Sequence, residues 1–167
     1  HATRQTARTF SSTAIPATGV ATLHELGAAA GDVYGDQKSL GAKDVTSGEW
    51  TWTSYADRNE RAQNLGRALA KKSIGRGDRI ACVSKNRENL ACTMYAAYSV
   101  GAAHVPLYEQ QKPAEWKHVL EDSGAKLLFV ATSELAEAAR QVTDVEVVCF
   151  EDGGLEALIN EGSGSDT

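Results

Sequence analysis

The sequence has little cysteine, proline or methionine, and no apolar run long enough to cross a membrane. Three of the 167 residues are cysteine, three are proline and one is methionine. The longest apolar run lies within residues 126–131 and has the length of a strand, whereas a membrane-spanning helix needs about 20 apolar residues. The sequence therefore predicts no membrane span.

The cysteines, Cys82, Cys92 and Cys149, are odd in number, and each stands among apolar neighbours. They form no C-x-x-C pair, and no histidine lies at metal-ligand spacing from any of them. This pattern predicts three reduced, buried thiols in a reducing compartment, with no metal site.

The sequence also lacks a surplus of basic residues. Seventeen Lys and Arg stand against 22 Asp and Glu, for a net charge of −5 at pH 7. Such a chain has no broad basic surface to neutralise phosphates, so nucleic acid is excluded as a partner. Its 42% hydrophobic and 23% charged residues are typical of a globular domain.

Residues 1–20 form a basic, Ser/Thr-rich arm of different composition. The arm contains Arg4 and Arg8 and no acidic residue. This is the composition of an organelle transit peptide, and residues 8–11 resemble a mitochondrial processing site. We therefore expect an organellar protein, in a mitochondrion rather than a plastid. An ordinary disordered leader is the alternative, and an arm that is retained makes Arg4 and Arg8 candidate partner-docking residues.

Residues 21–160 are predicted to form an α/β domain, and residues 161–167 a flexible tail. Apolar strands are expected to start near residues 79, 103, 126 and 145, with one helix between each pair. Alternating βαβ units of this kind produce a mainly parallel sheet. Further helices are expected after Thr22 and Ser54, with Asn86 and Pro113 opening two of the crossover helices and a short last helix over residues 154–160.

A hairpin is predicted before the parallel sheet, over residues 38–53. Trp50 and Trp52 alternate with threonines, so the two indoles share one face of a strand. That face is either packed against the core or forms a stacking platform for a ligand or partner. On the second interpretation, Trp50 and Trp52 are candidate partner-docking residues.

An ordered series of segments resembles the N-terminal part of the adenylate-forming (AMP-binding) ligases. The segments are Trp52 to Asp57, Gly77 to Ile80, Asn86 to Asn89, Gly101 to Tyr108 and Leu120 to Lys126. The opening Asn86-Arg87, the run Val105 to Tyr108 and the helix start Thr22 to Leu26 look most like the long-chain fatty acyl-CoA synthetases. The resemblance covers residues 20 to about 150 and implies the first α/β subdomain of such an enzyme.

The resemblance implies a two-step chemistry with ATP, Mg²⁺ and coenzyme A, in which a fatty acid carboxylate is first adenylated and then transferred to the thiol. In the family this chemistry uses a loop of the form T-S-G-T-T-G-x-P-K-G and a lysine of a C-terminal domain. The loop does not occur in these 167 residues, and we identify no counterpart of that lysine among them. We therefore expect no catalytic and no cofactor-binding residue in this chain, and we interpret His24, His104 and His118 as core or solvated side chains.

Three functions remain open from the sequence. The first is a non-catalytic accessory or structural subunit of a larger organellar protein complex, because a sheet cut after its first strands exposes an edge and apolar faces that a partner would cover. The second is the N-terminal fragment of an active ATP-dependent long-chain fatty acid–CoA ligase. The third is a small-ligand module that retains an acyl or nucleotide pocket.

Overall fold

The computed structural model describes residues 19–164, and this part of the chain forms six helices and six strands. Arg4 and Arg8 lie outside the described residues. In chain order the elements are α1 (Leu23–Tyr34), β1 (Lys38–Lys43), β2 (Trp50–Ser54), α2 (Tyr55–Lys71), β3 (Arg79–Val83), α3 (Glu88–Ser99), β4 (Ala103–Leu107), α4 (Pro113–Ser123), β5 (Leu127–Val130), α5 (Ser133–Arg140), β6 (Glu146–Cys149) and α6 (Gly154–Ser163).

The predicted α/β architecture is confirmed. Strands β3 to β6 form a parallel sheet in the order β4-β3-β5-β6, with a helix between each consecutive pair. The central strand β5 is buried along its whole length. Strands β1 and β2 form a separate antiparallel hairpin.

Both faces of the parallel sheet are covered by helices of this chain. Helices α2, α3 and α6 pack on one face, around Leu65, Phe129 and Leu155. Helices α4 and α5 pack on the other, around Trp116 and Val130. The expectation of uncovered apolar sheet faces is therefore wrong, because the crossover helices and α6 together are enough to bury both faces.

Strands β4 and β6 are the outer strands of the parallel sheet among the described residues. The β4 edge has few free backbone groups, since Pro106 has no N–H and the Tyr108 N–H donates to the side chain of Gln111 at 2.9 Å. The Tyr108 carbonyl accepts from the indole Nε1 of Trp116 at 3.0 Å. These features protect β4 against the addition of another strand.

The helix starts follow local capping rules. Thr22 and Glu25 form a reciprocal capping box at α1, and the Ser54 hydroxyl accepts the Asp57 N–H at 3.0 Å at α2. The predicted cap at Asn86 is displaced by one residue, because α3 begins at Glu88 with Arg87 in the cap position. None of the helices in the described part of the chain is both long and apolar enough to cross a bilayer.

Helix α6 continues to Ser163, three residues beyond the boundary that composition suggested. Gly162 is buried against the backbone of Asn64 in α2. Arg67 Nε donates to the Gly162 carbonyl at 2.9 Å, and Lys71 Nζ donates to the Glu161 carbonyl at 2.8 Å. The packing of Gly162 and the hydrogen bonds from two basic side chains thus hold the end of α6 against α2. Residues 165–167 lie outside the described residues.

Candidate functional site

The hairpin carries the two predicted docking tryptophans at the protein surface. Trp50 and Trp52 are 55% and 48% exposed. Their ring centroids are 5.7 Å apart, with an angle of 23° between the ring planes. The core-packing interpretation of this face is therefore wrong, and the two indoles form a stacked pair that solvent can reach.

A glycine and two lysines complete this surface, which we call the aromatic platform (Lys38, Gly41, Lys43, Trp50 and Trp52). Gly41 lies opposite Trp52 and Lys43 lies opposite Trp50 in the β1–β2 register, so all four share one face. A Cβ on Gly41 would lie 2.8 Å from the Trp52 ring, so only glycine lets the indole lie flat on β1. Lys38 Nζ lies 4.9 Å from the Trp52 ring centroid in a cation–π contact.

The opposite face of the hairpin is fastened to the helices. Thr53 Oγ1 donates to Glu88 Oε2 of α3 at 2.7 Å. Arg58 Nη1 of α2 donates to Ser39 Oγ at 3.0 Å. The guanidinium of Arg58 also lies 4.8 Å from the Tyr95 ring centroid. A two-stranded hairpin is marginal by itself, so these contacts fix its orientation on the domain.

Arg61 of α2 connects α3 and α6. Its Nη2 lies 2.7 Å from Glu156 Oε1, and its Nε lies 3.3 Å from Glu88 Oε1. The hydrogen bond from Arg61 lowers the pKa of Glu156, and the same hydrogen bond raises the pKa of Arg61. Because Glu88 also accepts from Thr53, one polar network joins the hairpin to α2, α3 and α6.

The buried groups Cys82, Cys92 and His104 are held in their neutral forms. Burial raises the pKa of the Cys82 and Cys92 thiols to about 12, and both, like Cys149, are free and buried as predicted. His104 Nε2 lies 3.2 Å from Thr93 Oγ1, and burial lowers the pKa of His104 to about 4. At neutral pH Cys82, Cys92 and His104 are therefore uncharged.

Comparison with known proteins places this architecture in a family. The family model described as AMP-binding enzyme matches residues 31–165. The chain belongs to the AMP-binding enzyme family. The match includes the hairpin, the parallel sheet and α6, so the family resemblance predicted from the sequence segments is confirmed.

One relative is the putative acyl-CoA ligase YdaB of Bacillus subtilis (strain 168). It is 38% identical to this chain over 85 residues, which is 51% of this chain and 17% of YdaB. The peroxisomal long chain acyl-CoA synthetase 7 of Arabidopsis thaliana is 26% identical over 119 residues, which is 70% of this chain and 17% of that protein. The present sequence thus spans about one sixth of these curated relatives.

The fold has counterparts among solved structures. A long-chain-fatty-acid-CoA ligase (FadD1) from Archaeoglobus fulgidus superposes with a TM-score of 0.73 and 24% identity, covering 87% of this chain and 31% of the ligase. At this identity the likeness shows the fold alone. The described domain therefore has the fold of one part of a larger adenylate-forming enzyme.

Sequence reasoning missed two contributors to this region. Gly41 carries a recognisable signal, because a glycine inside a strand often marks a close approach by another group. The Arg61–Glu88–Glu156 network carries none, because its members are far apart in sequence and meet only when α2, α3 and α6 pack.

Proposed function

We propose that this chain supplies the N-terminal structural subdomain of an ATP-dependent long-chain fatty acid–CoA ligase. The observation that carries the proposal is the family match over residues 31–165, together with relatives whose names are those of acyl-CoA ligases. Within such an enzyme, these residues supply a rigid parallel sheet with both faces buried. Catalysis falls to residues beyond this sequence.

The family implies ATP, Mg²⁺ and coenzyme A, which together supply the phosphoanhydride, its charge neutralisation and the acceptor thiol. The glycine and serine residues at the end of α6, Gly162 to Gly164, are not arranged to bind the triphosphate of ATP. Gly162 is packed against the Asn64 backbone, and its carbonyl is occupied by Arg67. The buried thiols do not fit a nucleophilic role either, since Cys82 and Cys92 are protonated at neutral pH. We derive no reaction step from these residues.

A second function, a non-catalytic accessory subunit of a larger organellar complex, is favoured by the aromatic platform. Trp50 and Trp52 are half-exposed and stacked, and tryptophan is the residue type most enriched among the dominant contacts of protein interfaces. In this proposal the basic arm, with Arg4 and Arg8, is a second docking element on other protein subunits, and the assembly is mitochondrial.

The mass of the native polypeptide separates the two functions. An antibody raised against residues 49–64 is used to purify the protein from its source cells under denaturing conditions, and its intact mass is measured. A species several times heavier than 17.8 kDa, whose native preparation forms palmitoyl-CoA from palmitate, ATP and coenzyme A, supports the ligase. A species near 17.8 kDa that is inactive and co-purifies with other subunits in fixed ratio refutes it and supports the accessory role.

A further inference from the structure

Strand β6 forms one outer edge of the parallel sheet. The Phe150 N–H donates to the Val130 carbonyl of β5 at 2.9 Å. Because successive residues of a strand direct their backbone groups to opposite edges, Val148 also faces β5, whereas Val147 and Cys149 face away from it. Among residues 19–164, β6 pairs with β5 alone. The N–H and C=O groups of Val147 and Cys149, which we call the β6 edge, are therefore left without a strand partner.

The β6 edge lacks the features that protect β4. None of the residues in β6 is a proline or a lysine, and its register with β5 runs without a bulge. Its one charged residue, Glu146, lies 2.8 Å from Lys72 Nζ of α2. The side chains of Val148 and Cys149 are buried. A regular, apolar edge of this kind accepts a further strand through main-chain hydrogen bonds.

The position of α6 shows which segment does not fill this edge. Helices α4 and α5 lie on one face of the sheet and lead to strands on the β6 side, while α3 lies on the other face and leads to β4. This is the pattern of right-handed connections. Because α6 lies on the same face as α3, a parallel strand entered from α6 by a right-handed connection would lie toward β4 and not beside β6.

Acidic side chains at both ends of β6 decide the chemistry of a partner strand. Asp144 and Glu146 are exposed at its amino end, and Glu151 and Asp152 are exposed at its carboxyl end. Antiparallel pairing with β6 of a second copy would set these acidic ends beside each other, and like charges on adjacent strands destabilise a sheet. A strand with basic ends complements the β6 edge in both charge and hydrogen bonding.

We propose that the β6 edge binds an extended segment of a partner protein, which adds to the sheet as a strand and carries β-branched residues between basic ends. Its backbone bonds to the N–H and C=O groups of Val147 and Cys149, and its basic side chains lie near the acidic ends of β6. This inference rests on the accessory role proposed above and names the chemistry of the partner. The β6 edge shares no residue with the aromatic platform.

Amide hydrogen exchange of the 167-residue chain, followed by NMR, tests whether the edge is open. The Val147 and Cys149 amides should exchange faster than the Val148 amide, which faces β5. Protection of Val147 in the isolated monomer would show that the chain covers its own edge and would overturn the proposal. Protection that rises with protein concentration, together with a dimer mass in sedimentation, would assign the edge to a second copy and would also overturn it.

Synthetic peptides with blocked ends test the partner chemistry. The peptide KVTVTVK should slow exchange of the Val147 and Cys149 amides. EVTVTVE should bind about two- to five-fold more weakly, the range expected of exposed charge contacts. KVTVTVK with N-methyl groups on alternate residues cannot donate along one edge and should not bind. Equal binding of the basic and acidic peptides, or no binding of KVTVTVK, contradicts the proposal.

Two variants locate the binding. Val147→Pro removes an N–H that faces away from β5, so it should abolish peptide binding while the chain stays folded by far-UV circular dichroism. Val147→Thr keeps the N–H and the β-branched shape and should bind like the native chain. If Val147→Pro is folded and binds KVTVTVK normally, the peptide lies elsewhere and the assignment is wrong.

This inference and the accessory role fail in different ways. A native mass near 17.8 kDa with no peptide binding would overturn the inference and leave the accessory role standing. A mass several times heavier refutes the accessory role. If the Val147 amide of that heavier protein is protected without peptide, a later segment of the same polypeptide fills the β6 edge, and the assignment to a partner protein is wrong.

Discussion

Replacing Gly162 by alanine tests how tightly α6 is docked on α2. A Cβ at position 162 would lie 2.6 Å from the carbonyl carbon of Asn64 and 3.2 Å from its Cα, and closer still to the carbonyl oxygen. All three atoms belong to the backbone of α2, so a side-chain rotation cannot relieve the clash. Helix α6 would have to move away from α2, which would also lengthen the bond from Arg67 to the Gly162 carbonyl.

Two opposing effects set the magnitude. Alanine favours the helix over glycine by about 1 kcal/mol, while overpacking a close contact costs about 1–3 kcal/mol and more where backbone must move. Displacing α6 also loosens Leu155, Leu158 and Ile159, which belong to the core on that face of the sheet. We expect the free energy of unfolding to fall by about 2 kcal/mol.

Urea unfolding followed by far-UV circular dichroism measures this change. With a slope of about 2 kcal/mol per molar urea, the midpoint should fall by about 1 M. Gly164→Ala is the matched control, because a Cβ there meets no atom within 4 Å, and it should leave the midpoint almost unchanged. A Gly162→Ala midpoint equal to that of the native chain would refute the close docking of α6.

Three further predictions concern charge and burial. Arg61→Gln should destabilise the domain by about 1 kcal/mol at pH 7, because Glu156 is partly exposed and its pair is screened. The pKa of Glu156 is lowered in the folded chain, so the pair contributes fully to the free energy of unfolding above the ordinary pKa of 4.5, and this contribution is lost as the pH falls through the folded pKa. The difference in free energy of unfolding between the variant and the native chain, measured by urea titration, should therefore shrink toward pH 3. A difference that stays constant with pH contradicts the pairing. Burial lowers the pKa of His104 from 6.5 to about 4, so the unfolded chain binds a proton at a higher pH than the folded chain does. The free energy of unfolding should therefore fall by at most about 3 kcal/mol as the pH drops from 6.5 to 4. His104→Gln should flatten this part of the curve of stability against pH, and an unchanged curve contradicts the burial of a neutral His104. Cys82 and Cys92 should resist iodoacetamide in the folded chain and react once urea unfolds it, as followed by mass spectrometry, whereas rapid labelling of the native protein would contradict their burial and raised pKa values.

Most of the fold could be predicted from the sequence because its signals are local. The run at β5 is apolar at every position because both of its faces are buried. Thr22 and Ser54 mark helix starts through hydrogen bonds that reach only three residues along the chain. Signals that span only a few residues can be recognised in the sequence without the tertiary structure. The predicted order of elements and the predicted α/β class were therefore correct.

The errors concern exposed surfaces, the covering of the sheet and the exact ends of helices. The alternation of tryptophan and threonine along β2 showed that Trp50 and Trp52 share one face of the hairpin. Whether that face points to the core or to solvent depends on the hydrogen bonds that join the hairpin to α2 and α3. Composition ended the domain at residue 160, whereas α6 runs to Ser163 because Arg67 and Lys71 cap its carbonyls. The covering of both sheet faces likewise depends on where the helices pack.

The sequence by itself determined the alternating elements, the three buried thiols and the family, because periodicity, capping and motif order are properties of neighbouring residues. Only the tertiary structure decided the rest: the exposed indole pair, the Arg61 network and the docking of Gly162 on Asn64. Each of these joins residues from separate elements. Their distances are fixed by packing and not by spacing along the chain.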